Sequence, residues 1–238
     1  MRLDRFISEK YDFSRNKAQF LVKEWLVKVN SKIIEKVSFD TKETDFIEII
    51  EDRRNEFVAR SAVKLYDFLD LIDLDVTDFI CLDIWASTWW FSQVMLLRWA
   101  KLIYAIDVWT SQLHESIKNN SKIISFENTD IRKYESKEKF DLITVDVSFI
   151  SLTKIISKIK ELSSKNTNVI LLFKPQFEVW KANIWKNWVV KDKKAITNSL
   201  DSFKKILKEN GFQIQKLSES TLPGEAWNIE YLIFLKVI

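Results

Sequence analysis

Acidic residues stand at or near the ends of three apolar runs in this 238-residue chain: Asp83 in 78–84, Asp107 in 102–107 and Asp146 in 140–146. If the runs are strands of a parallel sheet, their carboxyl ends are where a ligand sits, and an acid closing the second strand commonly accepts hydrogen bonds from a ribose diol. Solvated strand ends would explain one such acid; three in succession point to a site. Lys174 closes a fourth apolar run, 169–173, and precedes Pro175, which marks it as a further site candidate. A single cysteine, Cys81, excludes an internal disulfide and a cysteine-cluster metal site. The single histidine, His114, excludes a multi-histidine zinc site, and a Ser-His-Asp triad would have to use it. No metal is expected.

Elements alternating between period-2 and period-3.6 patterns must position these residues. Helical spacing predicts helices over 62–71, 91–98, 111–119, 152–162 and 193–209. Apolar runs predict strands at 78–84, 102–107, 122–126, 140–146 and 168–174, with closing strands at 211–217 and 230–237. Such alternation implies an α/β fold, a mostly parallel sheet with helices on both faces. Before it, residues 1–56 read as a separate small α+β domain, with 57–63 as linker and 64–238 as the larger domain. Ser14 caps a helix carrying Ala18, Leu21 and Val22, and Asn30-Ser31 turns one short strand into the next.

Composition is ordinary for a folded soluble protein except in one respect. At the usual ~7% the chain would hold about 17 glycines, yet it has 2, together with 10 tryptophans. In Leu82-Asp83-Ile84-Trp85-Ala86-Ser87-Thr88-Trp89-Trp90-Phe91-Ser92, indoles occupy a turn that must approach a ligand through bare backbone. With glycine at 85, 89 and 90 it becomes a glycine-rich nucleoside loop.

Several stretches together resemble the TlyA-type (hemolysin A-like) ribosomal RNA 2′-O-methyltransferases over nearly the whole chain. They include Arg2-Leu3-Asp4, Ser14-Arg15-Asn16-Lys17-Ala18-Gln19, Leu82 through Ser92, Ala105-Ile106-Asp107-Val108 and Asn228-Ile229-Glu230-Tyr231-Leu232. The most specific are Asp146-Val147-Ser148-Phe149-Ile150-Ser151-Leu152 and Lys174-Pro175-Gln176-Phe177-Glu178. By the family's pattern all ten tryptophans, at 25, 85, 89, 90, 99, 109, 180, 185, 188 and 227, fall where glycine is expected or accepted. The simplest account is a lineage that reads UGA as glycine, translated with a table that reads it as tryptophan.

The resemblance implies a Rossmann-like methyltransferase domain that transfers a methyl group from S-adenosylmethionine to a ribose 2′-hydroxyl, that of cytidine, in ribosomal RNA. It implies a tetrad of Lys64, Asp146, Lys174 and Glu230. Lys174 would be the base, Asp146 its orienting partner beside the methyl donor, and Lys64 and Glu230 would position the hydroxyl. For the cofactor it implies Asp83, Trp85, Ala86, Ser87, Thr88, Trp89 and Phe91 around the methionine part, Asp107 on the ribose diol and Asp130 by the adenine. Asp130 stands where the family tends to have Asn, and Ser61-Ala62 replaces a Gly-Gly pair.

The first 36 residues hold nine Lys/Arg against five Asp/Glu in a chain of net charge +3. A solvated face is the default for such a scatter. The resemblance turns it into an RNA-binding module of the ribosomal-protein type, with Arg2, Arg5, Arg15, Lys17, Lys23, Lys28 and Lys32 on phosphates. The expected partners are ribosomal RNA or ribosomal subunits. No secretory signal follows Met1, and no apolar run is long enough for a membrane span, so a cytoplasmic place is expected. Two alternatives stay open: a non-catalytic RNA-binding or ribosome-assembly factor on the same fold, and a nicotinamide-dependent oxidoreductase. The latter would need neither Asp146 and Lys174 at successive strand ends nor a basic amino-terminal module.

Overall fold

The computed structural model describes the chain except residues 24, 53–59, 85–89, 111–119 and 225–227, and the side chains at 16, 60 and 187. The chain divides into two compact units, Met1–Val63 and Lys64–Ile238.

In the first unit, α1 (Leu3–Tyr11) and α2 (Arg15–Lys23) accompany a three-stranded antiparallel sheet of order β2-β1-β3, with β1 at Val27–Val29, β2 at Lys32–Ile33 and β3 at Ile47–Ile49. Leu3 and Ile7 from α1, Ala18, Leu21 and Val22 from α2, and Val27 and Val29 from β1 are buried. Asn30 and Ser31 both have positive φ, 49° and 66°, as a two-residue hairpin turn between right-twisted strands demands. Ser14 Oγ accepts the Lys17 backbone N–H, the expected helix cap. Of the expected linker, residues 57–59 lie outside the described residues, and 60–63 already belong to α3 (Arg60–Leu71).

The second unit is built on a seven-stranded sheet of order β6-β5-β4-β7-β8-β10-β9. Its strands are β4 (Ile80–Ile84), β5 (Leu102–Ile106), β6 (Ile123–Phe126), β7 (Leu142–Val145), β8 (Asn168–Phe173), β9 (Phe212–Glu219) and β10 (Tyr231–Val237). β4 to β8 pair in parallel, and β10 is inserted antiparallel to both β8 and β9. Every residue of β7 and β8 is buried, so both faces of the sheet centre are covered. The helices are α4 (Trp90–Leu97), α5 (Ile156–Leu162), the short α6 (Pro175–Glu178) and α7 (Lys193–Glu209). In α7, Asp192 caps the Lys194 and Ala195 amides, and Ile196, Leu200, Phe203 and Leu207 form the buried stripe at helical spacing. The helix expected over 152–162 is instead a 3-10 turn, Leu152–Lys154, followed by α5. Ser151 starts the tighter turn by accepting the Thr153 amide. The helix expected at 111–119 lies outside the described residues. Among the described residues, no helix is long and apolar enough to cross a membrane.

Strand order reverses beside β4, which pairs with β5 on one side and β7 on the other. A ligand crevice opens at the carboxyl ends of strands at such a reversal. Because β10 runs antiparallel, with Tyr231 opposite Phe173, its amino-terminal end joins the carboxyl ends of the others.

Candidate active site

Four charged side chains converge there. Asp146 follows β7, Lys174 follows β8, Glu230 precedes β10 and Lys64 comes from α3. Lys174 Nζ lies 2.6 Å from Asp146 Oδ1 and donates to Ser148 Oγ at 2.9 Å. Lys64 Nζ donates to Glu230 Oε2 at 2.6 Å, and both side chains are almost fully buried, at 5% and 3% exposure. Burial pushes the Asp146 carboxyl above its ordinary value, against the pull of Lys174 and Lys64. Two ion pairs thus converge, Lys174–Asp146 slightly exposed and Lys64–Glu230 almost fully buried.

Several site residues carried no spacing signal of their own. Ser148 completes the Lys174 contact. The Gln176 amide donates to Glu230 Oε1 at 3.2 Å. Glu178 accepts from Ser151 Oγ at 2.6 Å and from the Leu152 amide at 2.7 Å, tying the segment after Lys174 to the segment after Asp146. Burial raises the Glu178 carboxyl to about 7. Asn228 bridges the Val190 amide and the Trp188 carbonyl. Phe149 is 72% exposed at φ 64°, a conformation a bulky residue rarely adopts, with its ring 5.2 Å from that of Phe177. Strain of this kind gathers at working sites.

Asp107, at the end of β5, is buried. Its Oδ1 accepts the Trp109 amide at 2.7 Å, while Oδ2 has no partner among the described residues. Burial raises its pKa. A buried carboxylate oxygen left open suits a hydroxyl donor brought by a ligand, as a nucleoside ribose supplies.

Asp83, expected near the methionine part of the cofactor, is held by other side chains of the protein. It is buried within β4, with Ser92 Oγ donating to Oδ2 at 2.6 Å and Thr144 Oγ1 to Oδ1 at 3.0 Å, so both oxygens are engaged inside the protein. Phe91 is likewise a buried side chain of α4. The Asp130 carboxylate is held by Arg132, which also donates its backbone amide. Trp85, Ala86, Ser87, Thr88 and Trp89 lie outside the described residues.

Burial, aided by the Asp146 charge, raises the Asp83 carboxyl to about 7. A raised carboxyl means that the folded chain holds a proton the unfolded chain has already released. Stability is therefore greatest below the ordinary carboxylate value and falls as pH rises toward about 7. Melting temperature followed from pH 5 to 8 is expected to decline, and Asp83→Asn to flatten the decline by an amount on the order of a few kcal/mol at most. An unchanged slope would show that Asp83 ionises like a surface acid.

A family model described as FtsJ-like methyltransferase matches residues 57–237. The chain belongs to the FtsJ-like methyltransferases. Within them it falls in the TlyA/hemolysin A-like group. It is 40% identical to the "23S rRNA (cytidine-2'-O)-methyltransferase TlyA" of Campylobacter jejuni, over 98% of each chain. It is 35% identical to "Hemolysin A" of Brachyspira hyodysenteriae, again over 98% of each. A solved structure from Streptococcus thermophilus bearing the hemolysin name superposes with a TM-score of 0.75 at 30% identity, covering 100% of this chain and 88% of that one. The fold alone is shared with a magnesium protoporphyrin IX methyltransferase from Synechocystis with bound SAM, at TM-score 0.52 and 15% identity over 75% of this chain and 79% of that one.

The basic residues of this FtsJ-like chain's first unit are unequal. Arg2 and Arg15 both reach the buried Asp4, at 3.0 and 3.3 Å, and Gln19 joins them at 2.8 Å; the Arg2 contact above all holds the Asp4 carboxyl well below the carboxylate range. Arg5 pairs with Glu9 and Lys28 with Glu48. Lys23 and Lys32 are exposed. Lys17 departs from the expected basic face: it is only 9% exposed, lies over the Phe20 ring, and burial lowers its ammonium to about 8.

Proposed function

We propose that this chain methylates a cytidine ribose 2′-hydroxyl of ribosomal RNA, using S-adenosylmethionine. The observation that carries the reading is the convergence of Lys64, Asp146, Lys174 and Glu230 at the strand ends of the same sheet in which β5 runs into Asp107, whose Oδ2 has no partner among the described residues. Bound S-adenosylmethionine supplies an electrophilic methyl carbon on sulfur and departs as a neutral thioether.

A ribose hydroxyl is a weak nucleophile, so its proton must leave as its oxygen attacks. Lys174 is the base that takes it, and Asp146 and Ser148 fix the direction of its amine. The Lys64–Glu230 pair forms the floor against which the ribose is aligned, and alignment supplies much of the acceleration. The exposed Phe149 ring offers a face for the target base, because bases unstacked from RNA are commonly held on aromatic side chains. Asp107 holds the cofactor's ribose. The exposed lysines of the first unit, Lys23 and Lys32, together with Arg5 and Arg15, bind RNA phosphates, and a cytoplasmic place follows from this substrate.

The test is transfer of labelled methyl to ribosomal subunits or their RNA, with the modified nucleotide mapped. Label on a 2′-oxygen supports the reading; label on a base, or none, overturns it. By calorimetry, Asp107→Ala is expected to weaken cofactor binding by roughly 10- to 100-fold, the range for a hydrogen bond to a charged acceptor. Calorimetry showing unchanged affinity would remove Asp107 from the cofactor site.

A further inference from the structure

We propose that Gln176 is a positioning residue of the transfer site, holding Glu230 in the orientation that pairs with Lys64. The proposal rests on the methyl-transfer reading above. Gln176 is the second residue of α6, two positions after Lys174, and is only 5% exposed. Its Nε2 donates to Glu230 Oε1 at 3.2 Å, while Glu230 Oε2 receives Lys64. Turning the amide round would set two acceptor oxygens against each other, so the nitrogen must face Glu230.

The amide's own Oε1 is then left buried with no partner among the described residues. Buried unpaired oxygens are uncommon and cost stability. A methionine would fill the same space without that cost, but only an amide can present an N–H to the carboxylate. The third side of Glu230 is closed by bare backbone. A Cβ at Gly224 would collide with Glu230 Oε1, so the carboxylate has no room for a side chain there. Gln176, Lys64 and Gly224 together leave Glu230 one orientation. The charged groups near this contact are Lys64, Asp146 and Lys174.

Gln176→Glu keeps the shape and replaces the donor with a carboxyl, which can donate to Glu230 only while protonated. Two adjacent carboxylates resist ionising together. The ratio of variant to wild-type kcat on ribosomal RNA is therefore expected to be lower by about 10- to 100-fold above neutral pH, and to recover as pH falls toward 5.5. Gln176→Met is expected to lower kcat by a similar factor at every pH, with cofactor affinity unchanged in both variants. If Gln176→Glu fails to fold at pH 8, its melting temperature at pH 5.5 takes over as the readout: recovery of the fold on acidification supports the shared proton, and no recovery overturns it. With an active wild type, a Gln176→Glu ratio that does not vary with pH, or full activity in Gln176→Met, overturns the proposal alone. A wild type that methylates no ribosomal RNA overturns the functional reading and the proposal with it.

Discussion

Lys174→Ala is expected to lower methyl transfer by about 10³-fold, within the span of general-base contributions, while leaving cofactor binding nearly intact. Among the four converging residues this is the cleanest one to remove. Lys64 and Glu230 form a buried pair, and deleting either partner leaves an uncompensated buried charge costing roughly 3–5 kcal/mol. Loss of activity there would be entangled with loss of fold. Lys174 sits at the rim, at 13% side-chain exposure, and makes no capping hydrogen bond to the short helix that follows it. Its removal also leaves Asp146 without its nearest cation, so the raised Asp146 carboxyl should rise further.

Lys174→Arg separates charge from basicity. The guanidinium keeps a cation beside Asp146 but does not lose a proton in the accessible pH range, so it should rescue stability and not turnover. Single-turnover transfer from labelled S-adenosylmethionine, with calorimetry alongside, reads both. Turnover of the Ala variant within a few-fold of wild type would end the role of Lys174 as base.

How legible these residues were in the sequence depended on what surrounds them. Asp146 and Lys174 each follow a continuous apolar strand, so the end of an unbroken apolar run points at them directly. The strand order was less visible. The closing strand reads as part of a mostly parallel sheet, yet only eleven residues, 220–230, separate β9 from β10, too few for a crossover with a helix. That short connection was the available signal that β10 turns back, and the reversal is what delivers Glu230 to the site.

Gln176 and Ser148 stand in the two most specific stretches of the sequence without a role of their own, because amides and hydroxyls are common in loops and gain meaning only from their neighbours. Lys17 and Asp83 are more deeply buried than their charge suggests. Residue type alone put Lys17 on the surface, but it lies one position before Ala18 on a helix whose packed side it shares, beside Phe20. Asp83 is one strand residue inside the sheet, where Ser92 and Thr144 each donate to it.

The protein isolated from its own source is expected to carry glycine at the ten tryptophan positions, and the backbone supplies the reason. Trp25 and Trp99 follow helices with φ of 62° and 65°. The Trp25 amide donates to the Val22 carbonyl and the Leu26 amide to the Leu21 carbonyl; Trp99 to Leu96 and Ala100 to Met95 repeat the pattern. This pair of bonds is the left-handed helix stop whose central residue is usually glycine, since a side chain there meets the carbonyl. Trp188 adds a third positive φ, 59°. Exposure agrees: Trp180 is 85% and Trp99 71% exposed, and Trp25, Trp109, Trp185 and Trp188 are exposed as well. Indoles normally contribute large buried area, so open placement at this many sites gains the fold little. By contrast Gly211, at φ 75°, shows what the same backbone uses where glycine is written.

The expected mass of the native protein is therefore lower than the printed sequence gives, by ten tryptophan-to-glycine differences. Its ultraviolet emission should come from its five tyrosines with almost no indole component. Trp109 donates its backbone amide to Asp107 Oδ1, a contact that glycine makes equally well while removing an indole from the residue that meets the proposed ribose-binding carboxylate. Substituting glycine at 109 alone in the tryptophan-bearing chain should accordingly tighten cofactor binding, by calorimetry, whereas alanine at Trp180, remote in sequence from that loop, should not. A native peptide carrying tryptophan at 25 or 99 would overturn the glycine assignment, and the two helix stops would then have to be explained as strain held by the rest of the fold.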